Sequence, residues 1–372
     1  MGDVVKETKA QRVERLKREL NPWEAYADIQ RFAREGWDSV PRSHGGSAVN
    51  VRLSAPIGIL DEHPEWSARL IAELQHRRLP FEKIDHANHG FDPRDRVPRY
   101  SVIVNRTSPS SHRRGHGGVL FYAEALLAHW ESLGVPVINP VRAYRFEKSK
   151  ALQIGLFERL GINYPRTVVV NHRDQVLKAG AELRFPLLVK PNVGGSGALI
   201  ERFDSSADLE ARAGALDFGP DGTALVQEFV ESRDGAIVRV EVLDDQYLYA
   251  IRIVRPASDF NLCPADICQV PAGAPGADLA ACPVETKPGL RVARYEAPPA
   301  VVDQARALAR EASIDVGGIE YLVGREDGRA YFYDVNATSN FVANAPAVLG
   351  FDPFPRFADY IVRVATHAGG RR

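Results

Sequence analysis

The segment LLVKPNVGGSGALIERF, from Leu187 to Phe203, contains the most informative pattern in the sequence. An apolar run typical of a buried strand leads to Lys190 and is followed by Gly194, Gly195, Ser196 and Gly197. Glycines let backbone amides approach an anion closely, and a lysine adds a charge suited to phosphate. This is not a P-loop, because the lysine precedes the glycines and a strand follows them. The segment predicts a phosphate-binding hairpin; the plainer alternative is a flexible turn with a surface lysine.

A second informative pattern lies near the carboxyl terminus. Glu320 lies on one predicted strand, and Asp334 and Asn336 lie on the next, across the turn GREDG. Strand alternation places Asp334 and Asn336 on one face, and a hairpin would bring Glu320 beside them. Two carboxylates and an amide oxygen form an all-oxygen set that suits Mg²⁺ carrying nucleotide phosphates, with Mn²⁺ as an alternative metal. The alternative is a charged hairpin rim. However, the neighbouring residues are apolar, and acidic side chains among them cost free energy unless a cation neutralises their charge.

Between residues 55 and 142, short apolar runs alternate with helical patterns. PIGIL, FEKID, SVIVN and PVINP are typical of buried strands, and a helix is predicted from Gly118 to Leu133. This alternation predicts a small parallel sheet and an α/β fold class, with α+β character further along the chain. A helix is predicted from Glu147 to Leu160, a hairpin around Asp244 and Asp245, and a long loop from Pro256 to Pro299.

Taken in order, these features resemble the ATP-grasp superfamily, from about Ala55 to Ile361. They comprise a lysine-bearing helix, the Lys-then-glycine segment, a QEFV strand, two arginine-bearing strands and the acid…acid-x-Asn set. The resemblance is strongest to the branch that contains the ribosomal-protein glutamate ligase and related amino-acid ligases. It implies four regions: a helical extension and linker (1–50), a pre-ATP-grasp α/β domain (51–142), a central ATP-binding subdomain (143–230) and a C-terminal subdomain with the metal site (231–372).

The resemblance also implies roles for individual residues. Lys150 matches the first ATP lysine, with Lys148 as the competing choice, and Lys190 matches the second, beneath a flap formed by residues 194–197. Arg239 and Arg252 match the arginines of the two strands, the latter steadying the transferred phosphoryl group; the alternative for each is an outward arginine paired with an acid. The QEFV strand occupies the adenine position and comprises Gln227, Glu228, Phe229 and Val230.

Two features depart from the pattern of the related ligases. Ile237 and Val238 stand where those enzymes place the ribose-binding acid, which leaves Glu231 or Asp234 as substitutes. The run ATSNF, residues 337–341, replaces their small-Pro-Gly ending and predicts a different acceptor. We expect the substrate to contact residues of the loop after the SVIV strand and of two later loops, namely Asn105, Arg106, Arg113, Asn261 and Asn340. A solvated polar loop is the alternative for the first of these.

Composition narrows the classes of function. The chain has 372 residues, a net charge of −1 and three cysteines. This balance gives no electrostatic case for nucleic acid, and no apolar run is long enough for a membrane span. The cysteine count and the charged N-terminal residues predict a cytoplasmic protein without disulfides. Cys263, Cys268 and Cys282 fit no standard zinc spacing.

The sequence therefore predicts an ATP-dependent, ADP-forming carboxylate–amine ligase that acts on small carboxylate and amine substrates. Two alternatives remain open. One is a ligase of the same fold whose peptide or protein acceptor docks through the N-terminal arm, and the other is a regulatory ATP-binding module without turnover. The resemblance leaves a homo-oligomer open as well.

Overall fold

The computed structural model describes residues 53–195, 197–254 and 291–369, and its strands form three sheets. The first sheet is parallel, in the order β2-β1-β3-β4. Its strands are short, and β1 and β3 in the middle are fully buried, as expected for a sheet with helices on its faces, whereas the edge strands β2 and β4 are partly exposed. The predicted parallel sheet is confirmed. Its elements are β1 (Ile57–Leu60), α1 (Pro64–His76), β2 (Phe81–Ile84), β3 (Val102–Asn105), α2 (Val119–Ser132) and β4 (Val137–Ile138).

The second sheet is antiparallel, in the order β5-β8-β6-β7. Two consecutive helices precede it, and the strand that bears Lys190 pairs with the QEFV strand at its centre. It has a core of its own, built on Leu187, Val189, Phe203 and Val226. The elements are α3 (Val141–Lys148), α4 (Lys150–Arg159), β5 (Thr167–Val170), α5 (Asp174–Ala181), β6 (Leu187–Pro191), β7 (Glu201–Phe203), α6 (Ser206–Arg212) and β8 (Ala224–Glu228).

The third sheet is antiparallel, in the order β11-β10-β9-β12-β13. The predicted hairpin around Asp244 and Asp245 is confirmed, and both residues adopt positive φ angles. The α/β class is confirmed by this set of one parallel and two antiparallel sheets. The elements are β9 (Ala236–Leu243), β10 (Gln246–Val254), β11 (Arg291–Tyr295), α7 (Pro299–Ala312), β12 (Val316–Val323), β13 (Ala330–Asn336), α8 (Ala345–Leu349) and α9 (Phe354–Gly369).

Two details differ from the sequence predictions. The helix expected from Glu147 is divided, because Ser149 is extended (φ −134°, ψ 104°) and its side chain accepts a hydrogen bond from the Leu152 amide as the N-cap of α4. The long loop expected up to Pro299 is shorter, since β11 pairs with β10 along its edge. The four region boundaries remain a prediction, and the N-terminal arm, Asn261 and the three cysteines lie outside the described residues.

The two faces of the third sheet bury different cores. One face packs against the parallel sheet and α9 through residues such as Ile237, Ile251 and Phe357. The opposite face packs against α4 and α7 through residues such as Val240 and Leu308. Side chains alternate along each strand, so a polar residue in this sheet belongs to one face or the other. Among the described residues, no helix combines the length and apolarity needed to cross a bilayer.

Candidate active site

The acidic set predicted from strand alternation lies together on the third sheet. Glu320 on β12 is the register partner of Asp334 on β13, and Gly318 is the partner of Asn336. The Asn336 Nδ2 donates to Asp334 Oδ2 at 3.2 Å, and the Tyr333 hydroxyl donates to Glu320 Oε2 at 3.0 Å. The predicted proximity of the two carboxylates and the amide is therefore confirmed; their binding of a metal stays a prediction.

Arg239 neutralises one of these carboxylates from the neighbouring strand. It is buried and donates from Nη1 to Glu320 Oε1 at 2.9 Å and from Nε to Glu241 Oε1 at 2.6 Å. Burial acts to lower the pKa of Arg239, but Glu241 and Glu320 outweigh it and the pKa is raised. Burial raises the pKa of Glu320, against the opposing effect of Arg239. This guanidinium is permanently charged at physiological pH.

Lys150 neutralises the other carboxylate, and the structure separates it from Lys148. The Lys150 ammonium lies 3.0 Å from Asp334 Oδ1, whereas Lys148 turns away to the Glu124 carboxylate on α2. The break at Ser149 causes this divergence, because it starts a new helix at Lys150. Burial acts to raise the pKa of Asp334, but Lys150 and then Lys190 outweigh it and the pKa is lowered.

Lys190 reaches the same cluster from the second sheet. It is buried, and burial, reinforced by repulsion from Lys150, lowers its pKa to about 8. It makes no ion pair with another described residue. Asn192 fixes the spacing of the two lysines: its side-chain oxygen accepts from the Ala151 amide at 2.8 Å, and its backbone oxygen accepts from the Lys150 amide at 3.3 Å. A buried ammonium that is not directly paired with an acid is a suitable partner for an anionic ligand.

The glycines after Lys190 give the chain freedom and open space at their own backbone. Gly197 has φ +70°, a conformation that favours glycine, and no atom lies within 4 Å of the position that a Cβ would take at Gly194. A Cβ on Gly195 would lie 3.8 Å from the Cβ of Ser110, so this segment touches the loop after β3. Ser196 lies outside the described residues.

The strand expected to contact adenine uses its side chains within its own sheet. Gln227 Nε2 donates to Thr167 Oγ1 at 2.7 Å, and Glu228 pairs with Arg184 at 2.8 Å. Arg202 lies over the Phe229 ring at 4.5 Å. Any contact of residues 227–228 with a base therefore falls to the backbone, and the roles predicted for this strand and for Val230 stay predictions.

Arg252 does not join the cluster. Its register partner on β9 is Val238, whereas that of Arg239 is Ile251, so the two arginines project from opposite faces. Arg252 instead pairs with Asp234 at 2.7 Å. Glu231, the other candidate for the ribose contact, pairs with Arg325 at 2.7 Å. The role predicted for Arg252, to steady the transferred phosphoryl group, stays a prediction. In this structure its side chain lies on the sheet face opposite to that of Arg239.

The expected substrate residues fall into two groups. Arg106 is fully buried and donates to the Asn340 side-chain oxygen, and from Nη1 to the Ser339 carbonyl at 2.7 Å. Asn105 is also buried and caps the turn that follows, accepting from the Thr107 amide at 3.0 Å. Arg113 is exposed in the 3₁₀ turn at 109–114, away from these contacts. The structure thus brings Arg106 and Asn340 together and leaves Arg113 at the surface.

Several residues that support the cluster were not identified from the sequence. Gln153 accepts from the Val335 amide at 3.1 Å and donates to the Val335 carbonyl at 2.9 Å, which fixes β13 between its two candidate ligands. Glu147 is buried, accepts from the Ala337 amide, and has a pKa raised to about 7 by burial. Glu241 follows Arg239 by two positions and lies on the same strand face. That spacing is a signal that could have identified Glu241.

The cluster therefore combines two buried cations, Lys190 and Arg239, and a partly exposed one, Lys150, with two carboxylates that Arg239 and Lys150 neutralise. The described residues contain no group of three or more His, Cys, Asp or Glu side chains arranged for a metal. The candidate set instead has two carboxylates and one amide, which leaves further positions for water and phosphate oxygens around Mg²⁺. Such an arrangement is chemically suited to a polyphosphate with its metal, at a place where charge can be neutralised away from bulk water.

Comparisons with known proteins show what this chain resembles. No protein-family model matches the chain. A probable alpha-L-glutamate ligase of Vibrio vulnificus is 26% identical over 168 residues, which is 45% of this chain and 53% of that protein. A probable alpha-L-glutamate ligase of Shewanella putrefaciens is 25% identical over 225 residues, or 55% of this chain and 69% of that protein. The chain spans about half the length of the first of these relatives.

Solved structures show a likeness over most of the chain. The ATP-grasp ligase PsnB in complex with a minimal precursor has a TM-score of 0.58 and 20% identity, covering 83% of this chain and 99% of that one. The D-alanine–D-alanine ligase from Bacillus anthracis has a TM-score of 0.57 and 17% identity, covering 84% of this chain and 98% of that one. At such identities the likeness shows the fold. The resemblance noted from the sequence is confirmed by both kinds of comparison.

Proposed function

We propose, from the ATP-grasp fold of this chain, that it is an ATP-dependent carboxylate–amine ligase. The observation that carries this proposal is the meeting of three cations, Lys150, Lys190 and Arg239, with the carboxylates of Glu320 and Asp334. Lys190, Arg239 and Glu320 are buried, and Lys150 and Asp334 are partly so. The second sheet, the third sheet and the N-terminus of α4 supply these groups. In addition, the relatives found by sequence are named probable alpha-L-glutamate ligases. Burying so many charges without a ligand is costly, so a function that uses them is the economical explanation.

The cations of the cluster would bind the nucleotide. Lys150 and Lys190 would contact the phosphates, beneath backbone amides of the glycine segment 194–197. The strand 227–230 would contact the base. To contact a phosphate, Lys150 would have to leave the Asp334 carboxylate, with which its ammonium is now paired. Arg239 would neutralise charge on the phosphoryl group as it transfers.

The all-oxygen set would hold the metal. Glu320, Asp334 and Asn336 offer hard ligands on one sheet face, and both carboxylates are neutralised by protein cations when no metal is present. Mg²⁺ supplies neutralisation of phosphate charge there, and Mn²⁺ accepts the same ligands. Structures of PsnB with Mg and ADP, and of the Bacillus anthracis ligase with ATP, support both cofactors for this fold.

The reaction proceeds in two balanced steps. A substrate carboxylate oxygen attacks the γ-phosphorus, the bond to the β–γ bridging oxygen breaks, and ADP leaves with that electron pair. An amine nitrogen then attacks the acyl carbon of the acyl phosphate, phosphate departs, and the nitrogen loses a proton. No nucleophilic side chain is needed, since positioning and charge neutralisation account for most catalysis of phosphoryl transfer.

The acid substrate would lie between the loop after β3 and the loop after β13. Asn105, Arg106 and Asn340 meet there, and Arg113 and Asn261 would act only if the ligand extended to them. A small carboxylic acid fits the relatives' name, whereas PsnB was solved with a precursor peptide. A peptide acceptor is therefore the second candidate, and deletion of residues 1–50 tests it: loss of activity with peptide acceptors alone supports docking by the arm.

A cytoplasmic location, no nucleic-acid partner and an oligomer of identical chains complete the proposal. The near-neutral charge and low cysteine count support the first two. A regulatory module that binds ATP without turnover is less well supported, because such a module does not need a metal set and three phosphate-facing cations.

The deciding experiment is nucleotide product analysis with Mg·ATP and pairs of amino acids, small carboxylates and short peptides. ADP and phosphate formed only with a particular pair would establish the ligase and identify both substrates. AMP and pyrophosphate would refute the acyl phosphate in favour of adenylation. Tight ATP binding with no product from any pair would support the regulatory module.

A further inference from the structure

Unpartnered polar atoms gather at the carboxyl edge of the parallel sheet. Seven buried side-chain atoms in the described residues have no hydrogen-bond partner, and five of them lie at this edge. A buried polar group without a partner costs free energy and is uncommon in folded proteins, so such a concentration points to a ligand. The five atoms are His63 Nδ1, Trp66 Nε1, His86 Nδ1, Arg106 Nε and Ser111 Oγ.

Contacts join three of these residues into one site. The Trp66 ring stacks on the His63 ring with centroids 4.8 Å apart, and the Trp66 carbonyl accepts from Arg106 Nη2 at 3.3 Å. Ser111 lies in the 3₁₀ turn that begins three residues after Arg106. His86 approaches from β2, with its Nε2 3.0 Å from Thr107 Oγ1. Loops after β1, β2 and β3 therefore converge, as expected for a ligand crevice at strand carboxyl ends.

This site borders the nucleotide site. The loop after β13 is bound to it through Arg106 Nη1 and the Ser339 carbonyl, and through Thr338 Oγ1, which donates to the Thr107 carbonyl at 3.1 Å. From the other side, the glycine segment touches the same turn at Ser110. A group held here is next to the place where the phosphates would lie.

The charge of the site favours an anion. Burial lowers the pKa of Arg106 to about 10, so the guanidinium stays protonated near neutral pH. Its hydrogen-bond acceptors are all neutral oxygens, those of Ser339, Trp66 and Asn340. The acids that act on it at longer range are already engaged or face other groups: Asp61, Glu147 and Glu241.

The unpartnered atoms point to the same chemistry. Trp66 Nε1 and Arg106 Nε can only donate, the hydroxyl of Ser111 and the imidazole nitrogens can donate or accept, and none can only accept. Burial lowers the pKa of His63 and of His86 to about 4, so both rings are neutral. The Arg114 guanidinium lies over the Trp66 ring at 5.2 Å and is paired with the Glu62 carboxylate. The site thus offers several donors and one cation, Arg106, whose hydrogen bonds go only to neutral oxygens. This suits a monoanionic carboxylate better than a dianionic phosphate.

Resting on the ligase function, we propose that Trp66, Arg106 and Ser111 bind the carboxylate of the acid substrate beside the glycine segment. A free small acid and an acidic residue of a peptide carry the same group, and the experiment distinguishes them. Trp66 and Ser111 are thereby substrate-binding residues, with the neutral rings of His63 and His86 lining the rest of the site.

The test compares Ser111→Ala with Ser101→Ala in the full-length protein. Ser101 precedes the same strand at its opposite end, and its hydroxyl donates to the Pro56 carbonyl at 3.3 Å. For Ser111→Ala, the KM for the acid should rise roughly 10- to 100-fold while the KM for ATP is unchanged, because a bond to a charged group is lost. Trp66→Phe, which removes only the N–H donor, should act in the same direction. Ser101→Ala should leave both KM values unchanged.

The midpoint of thermal unfolding without substrate distinguishes a substrate-binding role of Ser111 from a purely structural one. Ser111→Ala removes an unsatisfied hydroxyl, so its midpoint should equal or exceed that of the wild type. An unchanged KM for the acid, or a lowered midpoint with both KM values raised together, would overturn the proposal.

Binding separates this proposal from the ligase function. L-glutamate, succinate and a tetrapeptide with an internal glutamate are the probes, each added with Mg·ADP while the unfolding midpoint is followed. A rise with the free acids alone assigns a small substrate, and a rise with the tetrapeptide alone assigns a peptide. A rise that Ser111→Ala abolishes, without ADP formation from any pair, would leave the site standing and refute the ligase. ADP formation with an unshifted midpoint for all probes, or with the same shift in Ser111→Ala, would refute the site alone.

Discussion

Replacing Gly318 by alanine should dislodge Arg239 from the two glutamates that hold it. A Cβ at this position would lie 2.2 Å from both Cζ and Nε of Arg239 and 2.3 Å from Nη2, whereas ordinary contacts begin at 3.4 Å. The guanidinium must therefore move by roughly 1 Å. Gly318 lies on β12, which is paired on both sides by β9 and β13, so its backbone cannot relieve the clash by moving.

The expected loss in the free energy of unfolding follows from the ion pairs that the displacement would break. Arg239 holds Glu320 at 2.9 Å and Glu241 at 2.6 Å, and all three groups are buried. Breaking a buried ion pair while its charges stay in place costs about 3–5 kcal/mol, and the gain of alanine over glycine in a strand returns about 0.5–1 kcal/mol. We expect Gly318→Ala to lower the free energy of unfolding by about 2–4 kcal/mol. A misplaced cation should also lower kcat/KM for ATP by about 100-fold.

Urea denaturation and initial rates of ADP release measure the two effects. Gly155→Ala is the matched control, because Gly155 lies within α4 and no atom stands within 4 Å of the new Cβ. This control should raise the free energy of unfolding by about 1 kcal/mol, since alanine is the better helix former. A free energy of unfolding for Gly318→Ala within about 0.5 kcal/mol of the wild type, with unchanged kcat/KM, would refute the account of Arg239.

Three further predictions concern the lysines and the metal set. Lys150→Ala should raise the KM for ATP at least tenfold, while Lys148→Ala, whose ammonium pairs with Glu124, should leave rates within about twofold, as initial rates at varied ATP will show. Lys190→Ala and Asp334→Asn should each abolish ADP release while circular dichroism shows an intact fold. Full activity of either variant would show that the replaced residue is not part of the active site. The protonated form of Lys190 is the one that binds phosphate, so kcat/KM for ATP should fall as pH rises through about 8, and Lys190→Arg should remove that fall from the pH profile.

The acidic set could be predicted from sequence because its geometry is local. Asp334 and Asn336 share a strand face through simple alternation, and the turn GREDG is short enough to make Glu320 their hairpin partner. The parallel sheet was predictable for the same reason, since β1 and β3 are compact apolar runs and helical segments follow them. The Lys-then-glycine segment likewise keeps all its information within a few residues.

Arg252 shows where local reasoning fails. Whether it faces the same side as Arg239 depends on how the twelve intervening residues are paired, and a register shift between Tyr247 and Tyr249 changes the face on which Arg252 lies. No pattern in the sequence reports such a bulge. The assignment of Lys150 over Lys148 depended in the same way on a helix break at Ser149, which is visible only once the cap is formed. For the carboxylate site, the sequence indicated the loop of Arg106 but not Trp66, because separate segments of the chain build the site.

The charge pairs of the cluster also explain why nucleotide and metal belong together here. Lys150 can turn from Asp334 to a phosphate only if another cation takes its place at that carboxylate, since a buried acid left alone is costly. A metal at Asp334 and Glu320, in turn, would leave Lys150 without its acid and Arg239 with Glu241 alone unless an anion arrived with it. A bound phosphate–metal complex supplies both a cation for the carboxylates and an anion for the protein cations. The cluster is thus suited to ATP bearing its metal, and less suited to either component alone.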